Sequence, residues 1–546
     1  YFKVSEEYET PHVKWLKPYS KGKIKVLYIS STAARLDDSN KRDVVELSQR
    51  MDIEYKFIPL LPKKIGRSFQ DVAGEIEPYI LDVMREEFNK DYDVVVMNQL
   101  DFKKTKEDFI QELLAEAEKG KGIVLKGCRN IPSEISRLLN RTNLIKTPDD
   151  FINMPGINKS LAPAQQIPKI CKICHLEKGR ILVIDGNNKL YPCIPAGKTS
   201  EPYPNYYGRE VPYWEYMLFP VMKSIIYASG KESDIRINSF LVKDNLINIK
   251  IQSGMEEEVL LEVQFSNKYR LHEKLEKYPV KLKKGQNDIN FPLPKISGGF
   301  HVSDYRLMDN GGLIYDFGGY AFETPVFSEI KKVKFPAANP YYRSNEEIKA
   351  EVELANIEEG TILIWFVEDT YNRIIKKGSL PLSKGQVRTD ISFKVDYPLS
   401  IFHRLFVKLE KNNNVENISM EEFSTPFNFS PDDELVGYGW FTYHGAHGFK
   451  AWKENGFDSM VSSLRPRQGH YTSGAYKAMA TVNMRPMAYG LLYSTGEVGR
   501  GVYRGDHGAE GDDIIRKPCY SDPEHWNKVK EEIHKRLEGN KITYYG

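Results

Sequence analysis

The sequence predicts a multidomain chain combining α/β with all-β architecture, and three observations carry that expectation. Strand and helix patterns alternate from residue 20 to 230. Apolar and polar residues then alternate to about residue 426, and the strand–helix alternation returns from residue 434. With 546 residues the chain is long enough for three or four domains of about 150 residues each.

The first region opens on the apolar run Ile24-Lys25-Val26-Leu27-Tyr28-Ile29-Ser30, a buried strand, followed by a short helix over 43–51 and a strand over 53–58. Asp91 to Met97 reads as a third strand that ends in polar Asn98 and Gln99. A helix over 106–118 and strands over 122–126 and 180–184 follow, and an amphipathic helix over 213–228 closes the region. Strands spaced by helices imply a mainly parallel sheet covered on both faces, assigned to residues 1–232.

The second region contains runs such as Asn245-Leu246-Ile247-Asn248-Ile249-Lys250-Ile251, with turn clusters such as Lys284-Gly285-Gln286-Asn287-Asp288 between them. Two stretches, 233–327 and 328–428, each have the length of one antiparallel sandwich. In the last region, 429–546, strands are expected over 435–440, 457–462 and 484–493, with a further one starting at 542. Helices are expected over 448–455, 473–481 and 523–537, the last opened by the cap Ser521-Asp522-Pro523-Glu524. Four strands and three helices do not close an eight-stranded barrel, so the region reads as the first half of one.

Composition narrows the function. Apolar residues are 41% and charged residues 28%, and 77 basic against 75 acidic side chains leave a formal charge of +2. A field that small gathers neither nucleic acid nor an anionic membrane surface. No apolar run approaches the ~18 residues of a membrane span. Five cysteines are too few for a disulfide-built scaffold. A cleaved leader or a gene fragment would each give a chain starting at Tyr1, so the compartment stays open, with a secreted or periplasmic one slightly favoured over the cytoplasm. Aromatics reach 12%, including 33 Tyr and 6 Trp, which suits the handling of flat, hydroxyl-rich sugars.

Three places carry candidate chemistry. Cys171, Cys174 and His175, with Cys193, resemble half of a zinc ribbon, but the second Cys-x2-Cys is missing and ordinary thiols are the favoured reading. Cys128 follows a strand where a nucleophile could sit, but it lacks a second elbow glycine and a His-x-Glu partner, so it reads as non-catalytic. The predicted carboxyl ends of the last strands are richest in polar and aromatic groups: Trp440, Tyr443 and His444 after the first, Arg465 after the second, Tyr493 after the third, and Arg504 and Asp506 on the long loop. Barrel active sites lie on that face. An aromatic ring can stack on a pyranose there while Arg, Asp and His bond its hydroxyls. His444 and His447 lack a third metal ligand, and Asp512-Asp513 are adjacent rather than placed across a glycosidic bond. The reading calls for no metal and no cofactor.

The order of parts, together with Pro11-His12-Val13-Lys14-Trp15, Tyr213-Trp214-Glu215-Tyr216, Ala451 to Asp458 and Lys517 to Pro523, resembles large bacterial glycoside hydrolases related to the family 42 β-galactosidases. In those better-known enzymes the barrel comes first and the amidotransferase-like domain follows it. The resemblance implies a flavodoxin-like, class I glutamine amidotransferase-like domain, two sandwiches and a (β/α)8 barrel entrance. It also implies an oligo- or polysaccharide partner and a retaining reaction on β-linked glycosides by two carboxylates, after barrel strands four and seven. Both carboxylates are then expected beyond Gly546, so no catalytic residue is assigned. Assembly into a homo-oligomer is compatible with this reading. The rival is a non-catalytic carbohydrate-binding or surface assembly protein.

Overall fold

The computed structural model describes residues 12–31, 39–60, 78–141, 172–184, 218–425, 436–439, 452–462, 479–488 and 527, apart from 99, 101, 105–106, 337–341, 343–344, 397 and 481 within those ranges. Most of the described regular structure is β. The chain divides into two compact units, residues 1–205 with 210–326 and residues 206–209 with 327–546.

In the first unit, strands β1 (Ile24–Ser31), β2 (Ile53–Leu60), β3 (Val94–Asn98), β4 (Gly122–Lys126), β5 (Lys172–Leu176) and β6 (Gly179–Ile184) form one sheet in the order β2-β1-β3-β4-β6-β5. All its pairings are parallel except that of the edge strand β5 with β6. Helices α1 (Ser39–Arg50) and α5 (Phe219–Ser229) cover one face, while α2 (Pro78–Phe88), α3 (Glu107–Glu118) and α4 (Ser133–Arg141) cover the other. Double coverage explains why β3 and β4 are buried along their whole length and read as continuous apolar runs rather than alternating ones. Two glycines permit the helices to lie this close. A Cβ on Gly122 would sit 2.3 Å from the carbonyl oxygen of Ala228 in α5, and one on Gly179 would sit 2.0 Å from that of Ala117 in α3.

The same unit contains a two-sheet sandwich. Strands β7 (Ile235–Lys243), β8 (Leu246–Ser253) and β11 (Gly285–Pro292) face β9 (Glu257–Asn267), β10 (His272–Leu282), β12 (Gly299–Met308) and β13 (Ile314–Thr324). The alternation in β7 breaks at a bulge between Ile237 and Ser239, so Ile235, Ile237 and then Phe240 all point inward. Phe240 stacks on Tyr305 with ring centroids 4.2 Å apart.

The outer face of that four-stranded sheet is covered over β12 and β13. Val302, Ile314, Phe317 and Ala321 belong to the same apolar core as α1, α5 and one face of the parallel sheet. Trp15 sits in this shared core with no exposure and meets Phe219 edge-on at 4.5 Å. Its indole N–H donates to Asp304 Oδ1 at 2.9 Å. The segment carrying it is tied at both ends: Leu16 N–H donates to Arg50 O, and Tyr19 OH donates to Lys231 O at 2.5 Å.

In the second unit, β14 (Glu329–Lys334), β15 (Glu347–Ala355) and β18 (Arg388–Lys394) pack on β16 (Ile362–Asp369), β17 (Ile374–Pro381), β19 (Phe402–Lys411) and β20 (Asn414–Ser424) around a core that includes Val352, Leu363, Leu405 and Val407. His403 on β19 is fully buried, stacked on Phe423 at 5.1 Å and opposite Asp369 across the ladder. Strands β21 (Val436–Gly439), β22 (Ser459–Ser462) and β23 (Arg485–Ala488) form a parallel sheet in chain order. The reading of residues 1–546 as four domains ending in a half barrel remains an expectation. The helix over 523–537 and the strand from 542 lie outside the described residues, apart from Asn527.

Two predictions follow from this packing. Replacing Trp15 with Ala removes a buried ring and one hydrogen bond to the buried Asp304 carboxylate, and is expected to cost about 3–5 kcal/mol in denaturant unfolding; a loss under ~1 kcal/mol contradicts the shared core. Burial holds the His403 imidazole down at about 4, against 6.5 for a free histidine. The unfolded chain therefore takes up a proton below pH 6.5 that the folded chain refuses until about pH 4. Stability contributed by neutral His403 is full above that window and falls by about 3 kcal/mol across it. The urea midpoint of His403→Leu is expected to depend less on pH over the same range.

Candidate functional site

Trp440, Tyr443, His444, Arg465, Tyr493, Arg504 and Asp506 lie outside the described residues. The framework they leave from is described. Gly439, Ser462 and Ala488, the last residues of β21, β22 and β23, are register partners, so the three strands end flush. Adjacent strands lie about 4.8 Å apart. Trp440 is the next residue after β21, Arg465 follows β22 by three positions and Tyr493 follows β23 by five. The chain therefore leaves the three strands at one common edge.

The opposite, amino edge of the sheet is a packing face. Trp452 meets Phe457 edge-on at 4.6 Å beneath β22, and both pack against buried Met479 and Met484. Asn483, held in the left-handed region at φ 57°, sits two residues before β23. Its Oδ1 accepts from the Ile401 N–H at 3.0 Å, and its Nδ2 donates to Tyr371 OH at 2.7 Å. The second sandwich thus holds the sheet at its amino edge.

Cys128 lies just beyond β4. Its thiol donates to Met97 O at 3.3 Å, and burial pushes it up to about 12. Among the described residues no histidine bonds to it, and burial gives it the opposite of the lowered pKa that a thiolate nucleophile needs. Cys174 and His175 are neighbours on β5, and their side chains leave on opposite faces. Cys174 is buried in the core under α3 and α4, whereas His175 Nε2 meets Tyr227 OH on α5 at 3.2 Å. The expected turn is a strand, and this pair cannot converge on one ion; Cys171 and Cys193 lie outside the described residues.

A polar tier went unrecognised in the sequence. Ser30, Asn98 and Lys126 are register partners at the carboxyl ends of β1, β3 and β4, directly beyond the apolar row Tyr28, Val96 and Val124. All three are buried, as is Asp43 on α1. Lys126 Nζ pairs with Asp43 Oδ2 at 2.5 Å, and Asn98 Nδ2 donates to Ser30 Oγ at 2.9 Å. Burial pushes the Asp43 carboxyl up against the pull of Lys126. Asn98 Oδ1 is buried without a hydrogen-bond partner. The available signal was that three apolar strands each end on a polar residue.

No family model and no curated protein matches the chain. Among solved structures, the chain is similar to an FMN-binding β-glucuronidase from Facaelibacterium prausnitzii L2-6, at 10% identity and a TM-score of 0.20, with 44% of each chain covered. It is similar to a β-glucuronidase from Parabacteroides merdae at 8% identity and a TM-score of 0.20, covering 44% of this chain and 37% of that one. A glycosyl hydrolase family 2 member from Bacteroides cellulosilyticus DSM 14838 is similar at 11% identity and a TM-score of 0.19, covering 44% and 39%. The chain therefore spans less than half the length of each of these structures.

Proposed function

We propose that the protein is a glycoside hydrolase acting on β-linked glycosides by a retaining, two-carboxylate mechanism, with its sugar held at the carboxyl edge of β21, β22 and β23. The observation that carries this reading is the strand order. A doubly wound sheet puts its first strand inside, as the order β2-β1-β3-β4 does in the first unit. β21, β22 and β23 instead pair parallel in chain order, as consecutive strands of a barrel do, and end flush.

The chemistry follows from that edge. A sugar ring is a stack of C–H groups bordered by hydroxyls, so Trp440 or Tyr443 takes its face. Arg465, His444, Tyr493, Arg504 and Asp506 supply donors and acceptors for its rim. The full-length protein is expected to hydrolyse at least one p-nitrophenyl β-glycoside with retention at the anomeric carbon. Trp440→Ala is expected to raise KM about tenfold, the order of one lost stacking contact. Glycan binding without turnover of any such substrate overturns the hydrolase in favour of a non-catalytic carbohydrate-binding protein.

Cys128 has no part in this reaction. Cys128→Ala is expected to leave both glycoside turnover and any glutamine hydrolysis unchanged, measured as p-nitrophenol and ammonia release. Loss of glutaminase activity in that variant would instead establish a thiol-dependent enzyme in the first unit.

A further inference from the structure

We propose that Asn310 is a site of spontaneous deamidation, converting to aspartate and isoaspartate in the folded chain, while Asn455 is protected from the same reaction. The inference is independent of the glycoside hydrolase reading.

The sequence supplies two candidates. Asparagine followed by glycine occurs twice in the chain, at Asn310-Gly311 and Asn455-Gly456. The reaction favours that pair because the backbone nitrogen of the following residue is the nucleophile, and glycine has no Cβ to shield it. Once deprotonated by hydroxide, that nitrogen attacks Cγ of the asparagine. The N–Cγ bond forms, the Cγ–Nδ2 bond breaks, and ammonia leaves. Water then opens the cyclic imide. Attack at Cγ gives aspartate. Attack at the backbone carbonyl carbon gives isoaspartate, in which the chain runs through the former side chain.

The structure leaves the first pair open. Asn310 and Gly311 lie in the loop joining β12 and β13, where Asp309 N–H donates to Leu313 O at 2.9 Å and Gly312 N–H donates to Asp309 O at 3.1 Å. Gly312, at φ 87°, is the left-handed residue that completes a three-residue hairpin loop. Those bonds hold the loop ends and leave its middle unengaged. Asn310 is exposed. Among the described residues, neither its carboxamide nor the Gly311 N–H has a hydrogen-bond partner. The side chain can therefore turn toward the nitrogen without breaking a bond, and hydroxide can reach the N–H.

The second pair is held. Asn455 is exposed as well, so exclusion of water does not protect it. Its following nitrogen is engaged, because Gly456 N–H donates to Lys453 O at 3.0 Å. On either side of it, Asn455 N–H and Phe457 N–H both donate to Trp452 O at 3.1 Å. Deprotonating the Gly456 nitrogen forfeits its bond, and moving it toward Cγ opens a turn closed by three consecutive N–H groups.

The test follows the whole chain held for days at mildly alkaline pH, with samples cut by pepsin at low pH and the peptides covering 310 and 455 resolved by liquid chromatography and mass spectrometry. In the folded chain deamidation is expected about tenfold faster at Asn310 than at Asn455, as two isomeric products. In urea, where neither turn survives, the two rates are expected to agree within about twofold. Asn310→Gln is expected to remove both products, because the longer side chain must close a larger ring. Gly311→Ala is expected to slow their formation about tenfold by shielding the nitrogen. Equal rates at the two sites in the folded chain, faster reaction at Asn455, or product at Asn310 only in urea would each overturn the assignment. So would an excess at Asn310 that persists unchanged in urea, since the turns would then have no part in it.

Discussion

Burial of Trp15 between two architectures is the constraint on which the first unit depends. A sheet with helices on both faces and a sandwich of two sheets could each close its own core. Here the four-stranded sheet of the sandwich presents Val302, Phe317 and Ala321 outward, and only the α/β layer, with Trp15 and Phe219 between them, removes that surface from water. Trp15 suits the position because it combines a large apolar ring with one donor. The ring meets Phe219 and Phe317, and the indole N–H satisfies Asp304. Lys223 on α5 pairs with Asp316 on β13 and ties the helix to the sandwich. The joint is therefore a continuous core bordered by paired polar groups, unlike a flexible linker between independent domains.

The two parallel sheets treat their edges differently, and that difference organises the functional argument. In the first unit the carboxyl edge changes from an apolar row to a row of hydroxyl, amide and ammonium groups within two residues along each strand. In the second unit the amino edge is occupied by the sandwich through Asn483, which leaves the carboxyl edge to the segments that follow β21, β22 and β23. Both arrangements use the property that parallel strands share a direction, so residues at equivalent ends meet in one plane. The buried His403 and Asp369 lie within the second sandwich, in the same unit as β21, β22 and β23.

Much of the fold was legible because its signals are local. β1, β4 and β6 each carry an apolar run, over 26–29, 123–125 and 181–184, and α3 carries helical spacing across its whole length. Helices α2 and α4 were not among the elements read from the sequence. Strand β5 was hidden by the spacing of Cys171 and Cys174, which suggested a metal turn. A strand side chain's direction depends on its pairing partner, and that partner, β6, could not be read from the cysteines. The sandwich strands were visible in kind but blurred where β9, β12 and β13 are buried on both faces, which erases alternation.

By itself the sequence determined where helices and strands alternate and where sandwich-like strands follow one another, because hydrophobic period, turn chemistry and length act within a few residues of one another. It also supplied the inventory of Trp440, Arg465 and their neighbours as groups suited to a sugar. Only the tertiary structure decided which residues share a row. The flush ends of β21, β22 and β23, the opposite facing of Cys174 and His175, and the meeting of Ser30 with Asn98 and Lys126 are facts of strand register. Register is fixed by burial of whole faces at once, and no window of sequence contains both partners.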